Sequence, residues 1–420
     1  VLTLGLPQRP TPFWFDREGG GMTATNNPGG KERGVSVGVY HRDEQVTLLA
    51  GDAAEQLAGL PERCVDCVIT SPPYWGLRDY GTGTWAAGRP DCQHIPAAGR
   101  ADGQAHCRKC GATRIDRQLG QEPTPSRYVD NLRRVFAQVR RVLTDAGTCW
   151  LNLGDRYATG ATRADDAADG PPGGSWRARK NLLGLPWQVA FGLQTDGWTL
   201  RNAMVWHKPN AMPESVRDRL SATYELVFLL VKSERYHFDL DPIRQPLKHP
   251  DAVGMASPFG GRKGDGAGAC LGASAPRRGG HYRPHQTGTA KYADTGAFTT
   301  TPGQALLPTG SRHTAAHPTG RNPGDVWTLA TRPLPEAHFA AFPVDIPLRC
   351  IAAGCPLDGL VLDPFSGAAT TGLAAVQLGR RYLGIDVNPA FHDIGLRRLN
   401  RHRTDSGNPP NPTTEHRRAA

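Results

Sequence analysis

The chain has 420 residues, with 49 Lys plus Arg against 39 Asp plus Glu, a net charge of +10 at pH 7, a pI near 9.3 and a mean hydropathy of −0.46. That length suits one large α/β domain with a smaller lobe, and the basic balance suits a polyanionic partner, although many proteins share it. No apolar run approaches a membrane span and no charged-then-apolar leader precedes residue 30, so a soluble, cytoplasmic protein is expected, without membrane partners. Nine cysteines, an odd number scattered along such a chain, argue against a disulfide framework.

Residues 1–35 are rich in Gly, Pro, Asn and Thr and are expected to be disordered; the first Met is Met22, and residues 1–21 are expected to come from an upstream start or a fragment. Apolar runs of strand type then follow at Val46 to Ala50, Val65 to Thr70, Thr148 to Leu153, Thr199 to Trp206, Glu225 to Val231, Leu360 to Asp363 and Tyr382 to Asp386. Helical spacing marks Arg127 to Leu143 and Leu185 to Gln194, and Leu373 to Leu378 is helix-like. Alternating strands and helices predict a doubly wound, mainly parallel sheet, with ligands at the carboxyl ends of its strands. Residues 247–323 interrupt this pattern with Gly, Ala, Pro, Thr, Arg and His, and are read as a mostly disordered insertion. The expected organisation is therefore 36–246, the insertion, 324–404 and an unstructured tail over 405–420.

Two strand ends carry chemistry. The run ending at Ile69 leads into Thr70-Ser71-Pro72-Pro73-Tyr74-Trp75, which offers a hydroxyl, rigid carbonyls without a competing N–H, and a flat ring. Such a set is suited to holding a planar base by its amino group. Near the other end, Asp363-Pro364-Phe365-Ser366-Gly367 closes a strand, Thr370 follows, and Gly367 permits close backbone approach to a ligand while the next helix N-terminus offers unpaired N–H groups to a carboxylate. Asp386 lies 23 residues after Asp363, at the tip of the next strand, where a nucleoside-binding α/β domain places its ribose-hydroxyl acceptor.

A separate cluster has metal spacing. Cys92-Gln93-His94 and Cys107-Arg108-Lys109-Cys110-Gly111, separated by a 12-residue Gly/Ala-rich loop, form two ligand pairs of a tetrahedral structural zinc site at about residues 90–112, with His106 as the rival fourth ligand. Cys64 and Cys67 have no second pair nearby and are read as packing residues.

Ser71-Pro72-Pro73-Tyr74 resembles the catalytic tetrapeptide of the DNA amino-methyltransferases, which move a methyl group from S-adenosylmethionine to N4 of cytosine or N6 of adenine. The Pro-Phe-x-Gly turn resembles the same family's cofactor signature, and the order of the two motifs fits its circularly permuted class, with the resemblance covering roughly residues 40–245 and 325–400. It implies a seven-stranded, Rossmann-like sheet, double-stranded DNA as substrate, base flipping, and direct methyl transfer without a covalent intermediate. It also implies that Asp52 meets the adenine edge, that Phe342 packs on the methionine moiety, and that Lys208, Arg217 and Arg219 face DNA or order the base pocket. Ser at the first motif position favours cytosine N4; N6-adenine remains the alternative, and a silent DNA-binding relative is a third. A cognate restriction endonuclease is the partner such an enzyme has in a restriction–modification pair. C5 methylation would need a nucleophilic Cys after Pro in the catalytic loop, where this chain has Pro72-Pro73. Trp75, Arg78, Tyr80, Trp85, Arg156, Tyr157, Trp176, Arg177, Arg179 and Lys180 mix cations and aromatics in loops on the same edge, as contacts to phosphates or as anchors of the loops on their own domain.

Overall fold

The computed structural model describes residues 38–77, 83–95, 106–115, 118–158, 179–246, 319–332 and 342–406. The expectations for residues 1–35, most of 247–323 and the tail beyond Ser406 lie outside these, as do Arg78, Tyr80, Trp176 and Arg177. The chain divides into two compact units, Val1–Pro242 with Gly324–Ala420, and Ile243–Pro323. Within the second, Gln245 and Arg321 form an antiparallel bridge.

The first unit is built on a nine-stranded sheet. In chain order its elements are β1 (Val39–Arg42), β2 (Val46–Ala50), α1 (Ala53–Ala58), β3 (Val65–Thr70), β4 (Thr84–Ala86), β5 (Thr113–Ile115), α2 (Pro125–Val142), β6 (Leu143–Leu153), α3 (Leu185–Thr195), β7 (Thr199–His207), β8 (Tyr224–Val231), β9 (Val326–Thr328), α4 (Asp345–Gly354), β10 (Leu360–Asp363), α5 (Thr370–Gln377), β11 (Arg381–Asp386) and α6 (Pro389–Ser406). The sheet order is β1-β2-β11-β10-β3-β6-β8-β7-β9, while β4 and β5 form a separate hairpin. Strands β2, β11, β10, β3 and β6 are parallel, and β8 runs antiparallel to both β6 and β7. All six residues of β3 are buried, as a central parallel strand covered on both faces requires.

Helix α2 begins with Thr124 accepting the Arg127 N–H at 3.3 Å and with Pro at its first position, which needs no amide hydrogen. Its buried Tyr128, Val129, Leu132, Val135, Phe136, Val139 and Val142 form one stripe, packed with α1 and α3 on one face of the sheet. Residues of α4, α5 and α6 pack on the other face, around Ile346, Cys350, Ile351, Ala374, Ala375 and Leu399.

Every one of the seven expected strands is present, and β1 and β9 extend the sheet at its two edges. Strand β6 starts at Leu143, five residues before the expected Thr148. Asp145, Ala146 and Gly147 are poor strand formers, and they fall in an irregularity where the register shifts between the pairs Val65–Leu143 and Cys67–Thr148, so the added residues bulge out of the ladder. The crossovers from β10 to β11 and from β3 to β6 leave in opposite directions, so the order reverses between β10 and β3. A crevice for a ligand opens at such a switch point.

Candidate active site

Ser71 follows the carboxyl end of β3 and Asp363 ends β10, side by side in the sheet with Cys67 opposite Val361. The Thr70 hydroxyl donates to Asp363 Oδ1 at 2.6 Å across 293 residues of sequence. Asp363 is buried, and Oδ1 also accepts the Phe365 N–H at 3.0 Å while Oδ2 accepts the Thr371 hydroxyl at 2.8 Å. Burial pushes this carboxyl up to about 6 despite those donors. Its acceptor capacity is spent on the turn that follows it, so Asp363 shapes the loop from behind.

That turn places Gly367 at φ 50°, a left-handed conformation glycine adopts without Cβ strain. Its N–H donates to Asp386 Oδ2 at 2.8 Å, and Oδ1 of the same carboxylate accepts from Asn388 N at 2.8 Å. Burial raises the Asp386 carboxyl as well. Ser366 is buried against the Tyr382 hydroxyl at 2.8 Å, and α5 starts with no side-chain cap on its first amides. A cavity of about 510 Å³ brings together Asp52, Ser71, Pro73, Phe342, Asp363, Pro364, Phe365, Ser366, Gly367, Thr370 and Asp386. Asp52 reaches its rim while capping α1, with Oδ1 accepting from Ala54 N and Glu55 N at 2.9 and 3.0 Å. Phe342 lines the wall, whereas Ala337 to Ala341 lie outside the described residues. Acidic acceptors beside aromatic walls, with uncapped helix amides close by, fit a nucleoside carrying a sulfonium and an amino-acid carboxylate, and the volume is within the usual range for such a ligand.

The catalytic loop is braced from several segments. Tyr128 Oη donates to the Pro73 carbonyl at 3.0 Å, Trp75 Nε1 to the Glu122 carbonyl at 2.8 Å, Gly76 N to the Gly120 carbonyl at 2.6 Å, and Arg156 reaches the Trp75 carbonyl at 3.2 Å. Pro72 is buried. The Tyr74 hydroxyl lies 3.3 Å from Ser71 Oγ, 3.1 Å from Asn152 Oδ1 and 2.6 Å from Glu225 Oε2. Burial and the Glu225 charge hold this phenol well above its ordinary range. Sequence reasoning placed Asn152 in a pocket-lining turn, Leu151 to Asp155, but singled out neither Tyr128 nor Glu225; the signal for Glu225 was a charge heading an otherwise apolar strand.

The basic residues divide. Lys208 pairs with Glu225 and sits over the Trp206 ring at 4.5 Å. Arg219 is bound to Glu214 at 2.6 Å and stacked 4.0 Å over Tyr157, while Arg217 is exposed. Trp75, Trp85, Arg156 and Tyr157 likewise make contacts inside the domain, which is the anchoring role.

Cys92, His94, Cys107 and Cys110 converge, with one donor atom from each lying within 4.8 Å of all the others. Cys92 Sγ and Cys107 Sγ are 3.8 Å apart, and Cys110 Sγ and His94 Nδ1 are 3.3 Å apart. A tetrahedral ion with Zn–S bonds of about 2.3 Å sets its sulfurs roughly 3.8 Å apart. His106 lies outside the group, with Nδ1 3.3 Å from the Thr113 hydroxyl. The hairpin strands on either side of the ligand pairs contribute Thr84 and Ile115 to the wall of the 510 Å³ cavity.

A mainly parallel sheet with a nucleoside pocket at its switch point and a Ser-Pro-Pro-Tyr loop beside it defines an S-adenosylmethionine-dependent methyltransferase. The DNA methylase family, of the N6/N4 type, matches residues 65–397, and the chain belongs to it. The type II methyltransferase M.Cfr9I of Citrobacter freundii is 33% identical over 381 residues, covering 87% of this chain and 93% of its own. M.SmaI of Serratia marcescens is 32% identical, with 85% and 91% covered, and M.ScaI of Streptomyces caespitosus is 42% identical, with 86% and 83% covered. Among solved structures, the PvuII DNA methyltransferase (cytosine-N4-specific) aligns over 85% of this chain and 93% of its own, at 15% identity and a TM-score of 0.46. No helix among the described residues is long and apolar enough to cross a membrane.

Proposed function

We propose that this methyltransferase modifies N4 of cytosine in double-stranded DNA, at a defined sequence, as the cytoplasmic modification half of a restriction–modification pair with a cognate endonuclease. The observation that carries this is the shared cavity: Ser71, suited to a base amino group, lines the same space as Asp386 and Asp52, suited to a nucleoside cofactor. The relatives named as type II methyltransferases support the pairing, and Ser at the head of the motif supports cytosine.

The cofactor supplies an electrophilic methyl group. Ser71 Oγ and the Pro72 carbonyl accept hydrogen bonds from the amino group and draw its lone pair out of conjugation; fixed oxygen dipoles then stabilise the positive charge that develops on nitrogen. A bound S-adenosylmethionine would supply the methyl group from its sulfonium, the electron pair of the broken bond staying on sulfur, and the methylated nitrogen would lose a proton to water. Asp386 accepts from the ribose hydroxyls, Asp52 meets the adenine edge, Phe342 and Phe365 wall the pocket, and Pro364, Ser366, Gly367 and Thr370 shape the approach to the methionine end, with Asp363 holding that turn. Arg217, which is exposed, meets phosphate in this reading.

Cys92, His94, Cys107 and Cys110 hold one structural zinc in this reading, since the three-residue hairpin strands that flank them are too short to order themselves. Labelled cofactor incubated with mixed-sequence DNA, followed by nucleoside analysis, tests the whole. N4-methylcytosine is expected; N6-methyladenine would replace the base assignment, and unlabelled DNA would remove the activity.

A further inference from the structure

Glu225, the second residue of β8, is joined to the loop after β3 by an unbroken chain of hydroxyls. Its Oε2 lies 2.6 Å from Tyr74 Oη, and Tyr74 Oη lies 3.3 Å from Ser71 Oγ. Its other oxygen pairs with the Lys208 ammonium, and the two side chains are only 15% and 19% exposed. A carboxylate in that pair only accepts hydrogen bonds. Tyr74 has one phenolic proton, and two acceptors compete for it. Asn152 turns its Oδ1 toward Tyr74 at 3.1 Å because its Nδ2 is spent on the Leu226 carbonyl. The charged and shorter contact wins, so the phenol donates to Glu225. Tyr74 Oη is then left as an acceptor toward Ser71, and the Ser71 proton points back at it.

We infer that Glu225 is a positioning residue that fixes the direction of this chain, Ser71 to Tyr74 to Glu225, and so makes Ser71 an acceptor only toward the cavity. Acceptor polarity at Ser71 decides the chemical class of the reacting position. An exocyclic amine donates to the exposed serine lone pairs, whereas a base carbonyl at the same place meets lone pair against lone pair and is rejected. The carboxylate also polarises both hydroxyls, which strengthens Ser71 as an acceptor when charge builds on the amine. Position alone does not supply this. A group of the same shape that donates instead of accepting would release the phenolic proton to Asn152 Oδ1 or to Ser71 Oγ, and Ser71 would present its own proton to the amine whenever it takes that bond.

The inference rests on Ser71 being the amine acceptor of the proposed function, and the test separates the two. Glu225→Gln keeps the volume of the side chain and adds a donor. It is expected to lower kcat by about 10²-fold with cofactor Kd unchanged within a few-fold, and to do no better than Glu225→Ala. Tyr74→Phe keeps the ring packed against Gly154 and cuts the chain; it should lower kcat on its own, and in its background Glu225→Gln should change kcat by less than about threefold. Wild-type kcat in Tyr74→Phe, recovery of kcat by Gln relative to Ala, or an equal cost of Glu225→Gln in both backgrounds would each overturn the inference. Full activity in Ser71→Ala would instead overturn the functional reading beneath it. Should Glu225→Gln also lose cofactor binding, the Tyr74→Phe kcat alone decides.

Discussion

The loop after β10 and the loop after β3 end beside one another, yet they are held in different ways. The cofactor loop is fixed by short groups close in sequence or one strand away: Asp363 with Phe365 N and the hydroxyls of Thr70 and Thr371, and Asp386 with Gly367 N. The catalytic loop is fixed by long side chains from distant segments, among them Tyr128, Arg156, Glu225 and, through Glu225, Lys208. Buried short bonds make a stiff nest for a ligand that is always the same. Long-range bracing suits a pocket that must receive a base from DNA and release it.

Substitutions on the two sides should therefore fail in different measurements. Ser71→Ala is expected to have the largest effect, a loss of about 10²-fold or more in kcat with cofactor affinity nearly unchanged, because in the proposed function the hydroxyl acts on the base. A variant that binds cofactor poorly but turns over normally when saturated would erase the distinction between the loops. On the cofactor side, Asp386→Ala should weaken S-adenosylmethionine binding by roughly 1.5–3 kcal/mol, through the ribose contacts and through release of Gly367. Unchanged affinity in calorimetry would take Asp386 out of the site.

The next effect depends on pH. The folded-state carboxyl of Asp363 is raised to about 6 from an ordinary 3.8, so the folded protein takes up this proton before the unfolded chain does. Stability from this group is full below the unfolded value and is lost as pH rises through about 6. The stability difference between wild type and Asp363→Asn should accordingly move toward wild type, by on the order of 1–2 kcal/mol, as pH falls from about 7 to 4. Denaturant melts at the two ends of that range check it, and a constant difference would show that the carboxyl is not shifted.

The smallest effect joins the two sides. Thr84 and Ile115 line the cavity, so chelation should weaken cofactor binding only a few-fold, on the order of 1 kcal/mol, while exposing residues 90–112 to protease and lowering DNA affinity. Protein purified without metal-chelate resin that contains no zinc, with all four side chains freely alkylated, would remove the metal.

The amino-acid sequence by itself determined the seven sheet strands, the two motif loops, the acid at the tip of the second cofactor strand and the two Cys/His pairs. Each is a local pattern: a run of apolar residues, a turn residue, a fixed offset. Tertiary structure decided that β10 lies against β3, that Thr70 reaches Asp363, that Lys208 is spent on Glu225 instead of facing outward, and that Tyr74 is tied to β8. Strand order and register set those partners. A chain pattern records which face of an element is buried, but it does not record which side chain from a strand hundreds of residues away will stand opposite.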